Sequence, residues 1–107
     1  YLHLDVREEA DWARAVEAAA EFGALNVLIN NAAVVHFSAI TETTLEDYNR
    51  VVSINQTGTF LGMRAVFESM KAAGGGSIVN VSGFQENPQD RGFSGPWTAG
   101  NDGGALA

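Results

Sequence analysis

Apolar residues along this chain fall into two textures, short solid runs and longer stretches in which they recur every third or fourth position. Tyr1–Val6 predicts a short strand with Asp5 at its end, where ligand-facing loops begin in α/β sheets. Glu8 to Phe22 predicts an amphipathic helix, with Trp12, Ala15, Val16, Ala19 and Phe22 on one side and charges between them. Gly23 fits its stop. Val27–Ile29 is a solid apolar run that fits a buried parallel strand, and it ends in Asn30 and Asn31. Val34 to Thr41 reads as a loop. Thr43 or Thr44 then caps a second helix, with Glu46 or Asp47 placed to complete a capping box.

That helix is predicted from about Leu45 to Ala73, interrupted near Asn55–Gly58. Leu45, Tyr48, Val52, Phe60, Met63, Val66, Phe67 and Met70 are its apolar positions, and Gly74-Gly-Gly76 is its stop. Ser77–Val81 predicts another buried strand. The order strand–helix–strand–helix–strand has crossovers long enough for parallel pairing, which gives one α/β unit with right-handed connections. Beyond Ser82 the periodicity stops. Glycines at 83, 92, 95, 100, 103 and 104, with both prolines of the chain, predict an irregular or disordered tail over 84–107.

Composition narrows the partners. With 46 % hydrophobic and 18 % charged residues the chain is expected to fold rather than stay disordered. Its net charge of −7 argues against a nucleic-acid backbone or an anionic membrane as main partner. It does not argue against a phosphate, which a nest of backbone N–H groups holds on an acidic protein. The absence of cysteine excludes disulfides, thiolate catalysis and Cys-based metal sites, and fits a reducing, cytoplasmic location. No run approaches ~18 apolar residues, so no transmembrane helix is expected. The start, Tyr1-Leu-His-Leu-Asp-Val6, is not a signal peptide, and the chain begins as though cut from something longer.

Three places carry candidate chemistry. In Asn30-Asn31-Ala32-Ala33, two amides at a strand end need partners, and the small residues after them admit a ligand close to the backbone; an ordinary polar strand end is the plainer reading. Asn55, in Ile54-Asn-Gln-Thr-Gly-Thr59, is unusual inside an apolar helix and marks a kink or an inward-held side chain; a helix break without chemistry is the plainer reading. Asp5, beside Val6, accepts a hydrogen bond from the amino group of a base or caps the following helix.

Taken together, Leu4-Asp-Val6, Leu28-Ile-Asn-Asn-Ala-Ala33, Val51-Val-Ser-Ile-Asn-Gln-Thr-Gly-Thr-Phe60 and Gly76-Ser-Ile-Val-Asn-Val-Ser82 resemble the short-chain dehydrogenases/reductases. The resemblance is strongest to the hydroxysteroid-dehydrogenase-like and 3-oxoacyl-reductase-like branch. It implies that residues 1–83 are part of a Rossmann-type doubly wound parallel sheet, central strands and helices only. It implies hydride transfer between NAD or NADP and an alcohol or carbonyl substrate. Asp5 and Val6 would sit at the adenine ring, and Asn31, Ala32 and Ala33 along the ribose and phosphate side. Asn55 would hold a water of the proton relay. Ala33 departs from the family's Asn-Asn-Ala-Gly by one methyl group. The resemblance also implies a homo-oligomer through the 44–73 helix.

Other parts of the family pattern are not in this sequence. No Gly-rich turn leads from a strand into a helix; Gly74-Gly-Gly76 follows a helix and precedes a strand. Where the family has Ser-Ser, this chain has Ser82-Gly83, so Ser82 is the candidate that remains. Trp97-Thr-Ala-Gly-Asn101 echoes Tyr-Thr-Ala-Ser-Lys, with Trp97 in place of the acid and Asn101 in place of the cation. Indole does not ionise usefully and Asn carries no charge. The expectation is a truncated, inactive fragment whose tail reflects a frameshift or a misassigned gene end. The alternative is a non-catalytic binding or assembly module. Substrate and the choice between NAD and NADP are left open.

Overall fold

The architecture is given by a computed structural model in which residues 1–82 are described. Along them run α1 (Glu9–Ala20), β1 (Val27–Asn30), α2 (Leu45–Val52), a π-helical turn (Ser53–Thr57), α3 (Gly58–Ala72) and β2 (Ser77–Asn80). β1 and β2 pair in parallel, with Val27 opposite Ser77 and Asn30 opposite Asn80. Bonds from Ser77 N–H to the Asn26 carbonyl (2.8 Å) and from Val81 N–H to the Asn30 carbonyl (2.9 Å) extend the ladder at each end. α3 packs on β1, and α1 packs on α3. The result is a partial Rossmann-type α/β unit. The tail expected over 84–107, with Trp97 and Asn101, lies outside the described residues.

Local sequence explains the helix ends. α1 has no side-chain cap, but Glu9 and Asp11 in its first turn complement the positive end of the helix dipole. Of the two candidate threonines, Thr44 caps α2: its hydroxyl accepts from Asp47 N–H at 3.1 Å. The Asp47 carboxylate accepts from that same hydroxyl at 2.6 Å, so only half of a capping box forms. α3 ends in a Schellman arrangement. Gly75 N–H reaches the Met70 carbonyl at 2.9 Å and Gly74 N–H reaches that of Lys71 at 3.1 Å. Gly74 supplies the required left-handed backbone, φ +85°.

The interruption predicted near Asn55–Gly58 is not a break. The helix passes from α2 to α3 through one wider turn, Ser53–Thr57, so the backbone stays helical while the side-chain register slips. α3 then presents Gly58, Leu61, Gly62, Val66 and Met70 inward. Among the described residues the buried apolar side chains are Trp12, Leu61, Val66 and Met70. Glycine decides which face turns in. An added Cβ at Gly62 would lie 2.7 Å from Trp12 Cη2 and 2.6 Å from Asn30 Oδ1, and one at Gly58 would lie 2.7 Å from Val6 Cγ2. Only the glycine face lets α1 and the Val6 segment approach so closely.

Several expectations are corrected. Phe60 and Phe67, expected inward, are on the opposite, exposed face of α3, and Leu45 and Tyr48 are exposed on α2. Phe22 lies beyond the last turn of α1, which ends at Ala20, so it leaves the helical stripe and is exposed. Tyr1–Val6 is not a strand: among the described residues the sheet has two strands, neither pairs with it, and Val6 already lies in a turn. β1 and β2 are parallel as expected, yet not buried; Ile29 is 60 % exposed and every residue of β2 is exposed. Parallel strands are buried when helices cover both sheet faces. Here α3 is the element that packs on the sheet, against β1.

Candidate functional site

A cleft of about 150 Å³ opens beside the C-terminal end of β1, lined by Leu4, Val6, Trp12, Ile29, Asn30, Asn31, Ala32, Ile54, Gly58 and Thr59. Open α/β sheets bind ligands outside the carboxyl ends of their strands, so the position is the expected one. The fold thus brings Val6, Asn31 and Ala32 together from segments far apart in sequence. Asp5, Ala33, Asn55 and Ser82 are not on the cleft wall; Ser82 is exposed, two residues past β2.

The two asparagines that read alike in sequence do different things. Asn30 Nδ2 donates to Asn80 Oδ1 at 2.9 Å, across the parallel register, and Asn80 Nδ2 approaches Met63 Sδ at 3.8 Å. Asn30 therefore ties the strand ends together. Among the described residues no side-chain hydrogen bond involves Asn31, which leaves its amide open to the cleft.

Asn55 sits in the π-helical turn and reaches back to the loop after β1. Its Oδ1 accepts from Val34 N–H and its Nδ2 donates to the Val34 carbonyl, both at 2.8 Å. The amide copies the backbone pairing of a neighbouring strand and fixes the exit of Asn31-Ala-Ala33. The Asn55 carbonyl accepts from Thr59 Oγ1 at 2.9 Å. A side chain held inward is thus the correct choice among the readings of Asn55. His36 Nε2 lies 3.9 Å from Asp47 Oδ2 near the same loop.

Asp5 does not cap α1, whose N-cap residue is Glu8. Its carboxylate accepts instead from Arg7: Nε to Oδ1 at 3.0 Å, Nη2 to Oδ2 at 2.6 Å and the backbone N–H to Oδ1 at 3.0 Å. These bonds hold its carboxyl at about 2, below its ordinary 3.8. Because the folded value is the lower one, the stabilisation is complete above about pH 4 and is lost as pH falls from there toward about 2. Both partners are solvent-exposed, so the effect on stability is small. A carboxyl-detected NMR titration is expected to show Asp5 titrating near 2, and rising toward 3.8 in Arg7→Met. An ordinary value in the unsubstituted protein would contradict the ion pair. Asp11 is likewise lowered, first by the Asp5 backbone N–H that it accepts and then by Arg14.

The sequence marked Trp12 only as a stripe position and Gly58 only as the edge of an interruption; the structure adds the Trp12 Nε1 bond to the Val6 carbonyl at 2.9 Å, and it brings in Gly62 and Asn80. The four-residue spacing of Gly58 and Gly62 was the available signal for close packing. Among the described residues no cluster of three or more His, Asp or Glu is arranged to hold a metal, and no helix is long and apolar enough to cross a membrane.

A parallel two-stranded sheet with a cleft at its strand ends defines an α/β protein, and comparison with known proteins gives the family. Residues 1–94 match the family model for short chain dehydrogenases. The chain is 45 % identical over 86 residues to a 3-alpha-(or 20-beta)-hydroxysteroid dehydrogenase of Mycobacterium tuberculosis, covering 79 % of this chain and 33 % of that protein. It is 45 % identical over 83 residues to trans-4-hydroxycyclohexanecarboxylate dehydrogenase of Sinomonas cyclohexanicum, covering 77 % of this chain and 32 % of that one. The solved structure of ElxO with NADP bound superposes with a TM-score of 0.69 at 33 % identity, over 74 % of this chain and 33 % of that one. This chain belongs to the short-chain dehydrogenase family, with its NAD(P)-binding Rossmann fold. It spans about a third of the length of the curated relatives it matches.

Proposed function

We propose that this chain contributes the central part of an NAD(P)-dependent oxidoreductase site acting on an alcohol or carbonyl substrate. The observation that carries the reading is the cleft at the end of β1, with Asn31 and Ala32 on its wall and Asn55 pinning the loop that follows. Asp5 and Val6 serve the adenine side, Asn31, Ala32 and Ala33 the ribose side, and Asn55 and Ser82 the catalytic side. Two relatives named above are a 3-alpha-(or 20-beta)-hydroxysteroid dehydrogenase and a trans-4-hydroxycyclohexanecarboxylate dehydrogenase, and a further one is a cyclopentanol dehydrogenase of Comamonas testosteroni. A cyclic secondary alcohol is the substrate class these names support.

The described residues fit part of a dinucleotide. Small side chains at 32 and 33 admit a ribose, and the open amide of Asn31 offers both a donor and an acceptor. They include no glycine-rich turn entering a helix to nest a pyrophosphate. The nicotinamide, when bound, supplies or accepts the hydride. What the protein must add is a proton donor for the substrate oxygen, and Trp97 and Asn101 stand where the family pattern has Tyr and Lys. General acid–base catalysis contributes roughly 10²–10⁴-fold, so turnover by this polypeptide is expected to be lower by about that factor. Titration with NADH, followed by nicotinamide fluorescence, is expected to give a saturable change with negligible oxidation of cyclopentanol by NAD. Absence of a saturable change would remove the cofactor site; turnover well above background would remove the inactivity.

One observation favours the second reading, a binding or assembly module. The outward face of α3 leaves Phe60 and Phe67 exposed, with the Arg64 guanidinium 5.3 Å from the Phe60 ring. Such a face suits packing against a second copy through the 44–73 helix, and sizing chromatography that shows only monomer would dismiss it.

A further inference from the structure

Among the described residues β1 is hydrogen-bonded on one side only. Its partner is β2, and bonds to the Asn26 and Asn30 carbonyls close the ladder at its two ends. The peptide bonds here are trans, so the N–H that follows each of these carbonyls points the opposite way. Val27 and Asn31 therefore aim their N–H groups away from β2, and the alternation of the parallel ladder turns that of Ile29 with them. Among the described residues none of these three N–H groups meets an acceptor. The cleft follows this edge. Ile29 and Asn30 point to opposite faces of β1, yet both line it, as does Asn31, while no residue of β2 does. A cleft that touches both faces of a strand and misses its paired neighbour lies along the unpaired edge.

The chemistry of the wall says what fits. A strand edge repeats N–H and C=O groups at the spacing of an extended backbone, and another extended backbone is what matches it. Leu4, Val6, Trp12 and Ile54 make the rest of the wall apolar, and no lining residue is ionisable. On a chain of net charge −7 this is an uncharged place, where a charged strand would lose hydration without a counter-charge. Exposed edges are commonly blunted by Lys, Pro or a bulge; Val27-Leu-Ile-Asn30 has neither residue and pairs one to one with β2. We infer that this edge is a docking site for one extended, uncharged, apolar segment of a separate polypeptide, which pairs with Val27, Ile29 and Asn31 as a third strand. The edge lies in a cleft of about 150 Å³, which a single segment enters more readily than a strand already paired within a second copy. The inference names a partner for the cleft without resting on the cofactor reading, since the edge is unpaired whether or not a dinucleotide binds.

The test is a titration of the isotope-labelled full chain with an acetylated and amidated octapeptide of alternating Thr and Val, read by amide NMR. Saturable shifts are expected, with slower hydrogen exchange at Ile29 and Asn31 and little change at Leu28, whose N–H faces β2. The same peptide N-methylated at two consecutive residues loses donors on both of its edges. Its binding is expected to be about tenfold weaker or more, the span of one or two lost hydrogen bonds. Equal binding of the two peptides, no saturable binding, or protection at Ile78 and Asn80 on the outer edge of β2 in place of Ile29 and Asn31 overturns the inference. So does protection of Ile29 and Asn31 that rises with protein concentration before peptide is added, which gives the edge to a second copy. NADH is titrated in parallel, so that failure of the strand site and failure of the cofactor site are read separately.

Discussion

Trp12→Ala is expected to cost about 3–5 kcal/mol, the range for removing a buried aromatic and leaving a cavity. The indole is 6 % exposed, its ring edge lies where a Gly62 Cβ would be, and its N–H satisfies the Val6 carbonyl. A domain of this size has roughly 5–15 kcal/mol in total, so the substitution removes a large part of it. Urea unfolding followed by circular dichroism measures the loss. Trp12→Phe keeps most of the ring and gives up the hydrogen bond, so its loss is expected near 1–3 kcal/mol, the cost of leaving the half-buried Val6 carbonyl unpaired. Gly62→Ala alone is expected to destabilise by about 1–3 kcal/mol through overpacking. The double variant is expected to lose less than the sum, because the new methyl occupies space the indole has vacated. Additive losses, or a Trp12→Ala loss below about 1 kcal/mol, would show that α1 and α3 are not held at this contact.

Asn55→Ala is expected to release the loop after β1 while leaving α2 and α3 helical. Both polar groups of Val34 lose their partner at once, and half-buried groups left unsatisfied cost about 1–3 kcal/mol. The Val34 amide is expected to exchange with solvent much faster, with the α3 amides little changed; hydrogen exchange read by NMR makes the comparison within one sample. Asn55→Asp separates the two bonds. It retains an acceptor for Val34 N–H but places a second oxygen against the Val34 carbonyl, so protection is expected to fall with it too. Unaltered exchange at Val34 in both variants would mean that the side chain does not hold this loop. Because Asn31-Ala-Ala33 leads directly into Val34, weaker NADH binding is the expected functional companion.

Several parts of the fold were legible because they are written locally. The stripe of Trp12, Val16 and Ala19, the Thr44 cap and the glycine stop after α3 each act over a few residues, and each lies where the pattern placed it. The polar insertion at Asn55 was equally legible as an irregularity, since Asn, Gln, Thr and Gly in succession disrupt an apolar helical repeat. Its outcome was not, because the partner that makes it a π-turn rather than a break is Val34, 21 residues earlier. Asn30 and Asn31 stood out together, but their division of labour depends on Asn80, 50 residues on. The Arg7–Asp5 pair is equally local, but a cation two residues from a carboxylate reads in sequence as solvated surface charge.

From Glu9 onward the amino-acid order alone determined the succession of helices and strands, and with it the family pattern, because periodicity, caps and stops act through the backbone's own repeat. The tertiary structure decided which face of α3 turns inward, which asparagine stays open to the cleft, and that Tyr1–Val6 stays out of the described sheet with Val6 against Gly58. Each of these depends on how closely distant segments approach. At Gly58 and Gly62 that distance is set by the absence of a side chain, which becomes informative only once Val6 and Trp12 are seen against it.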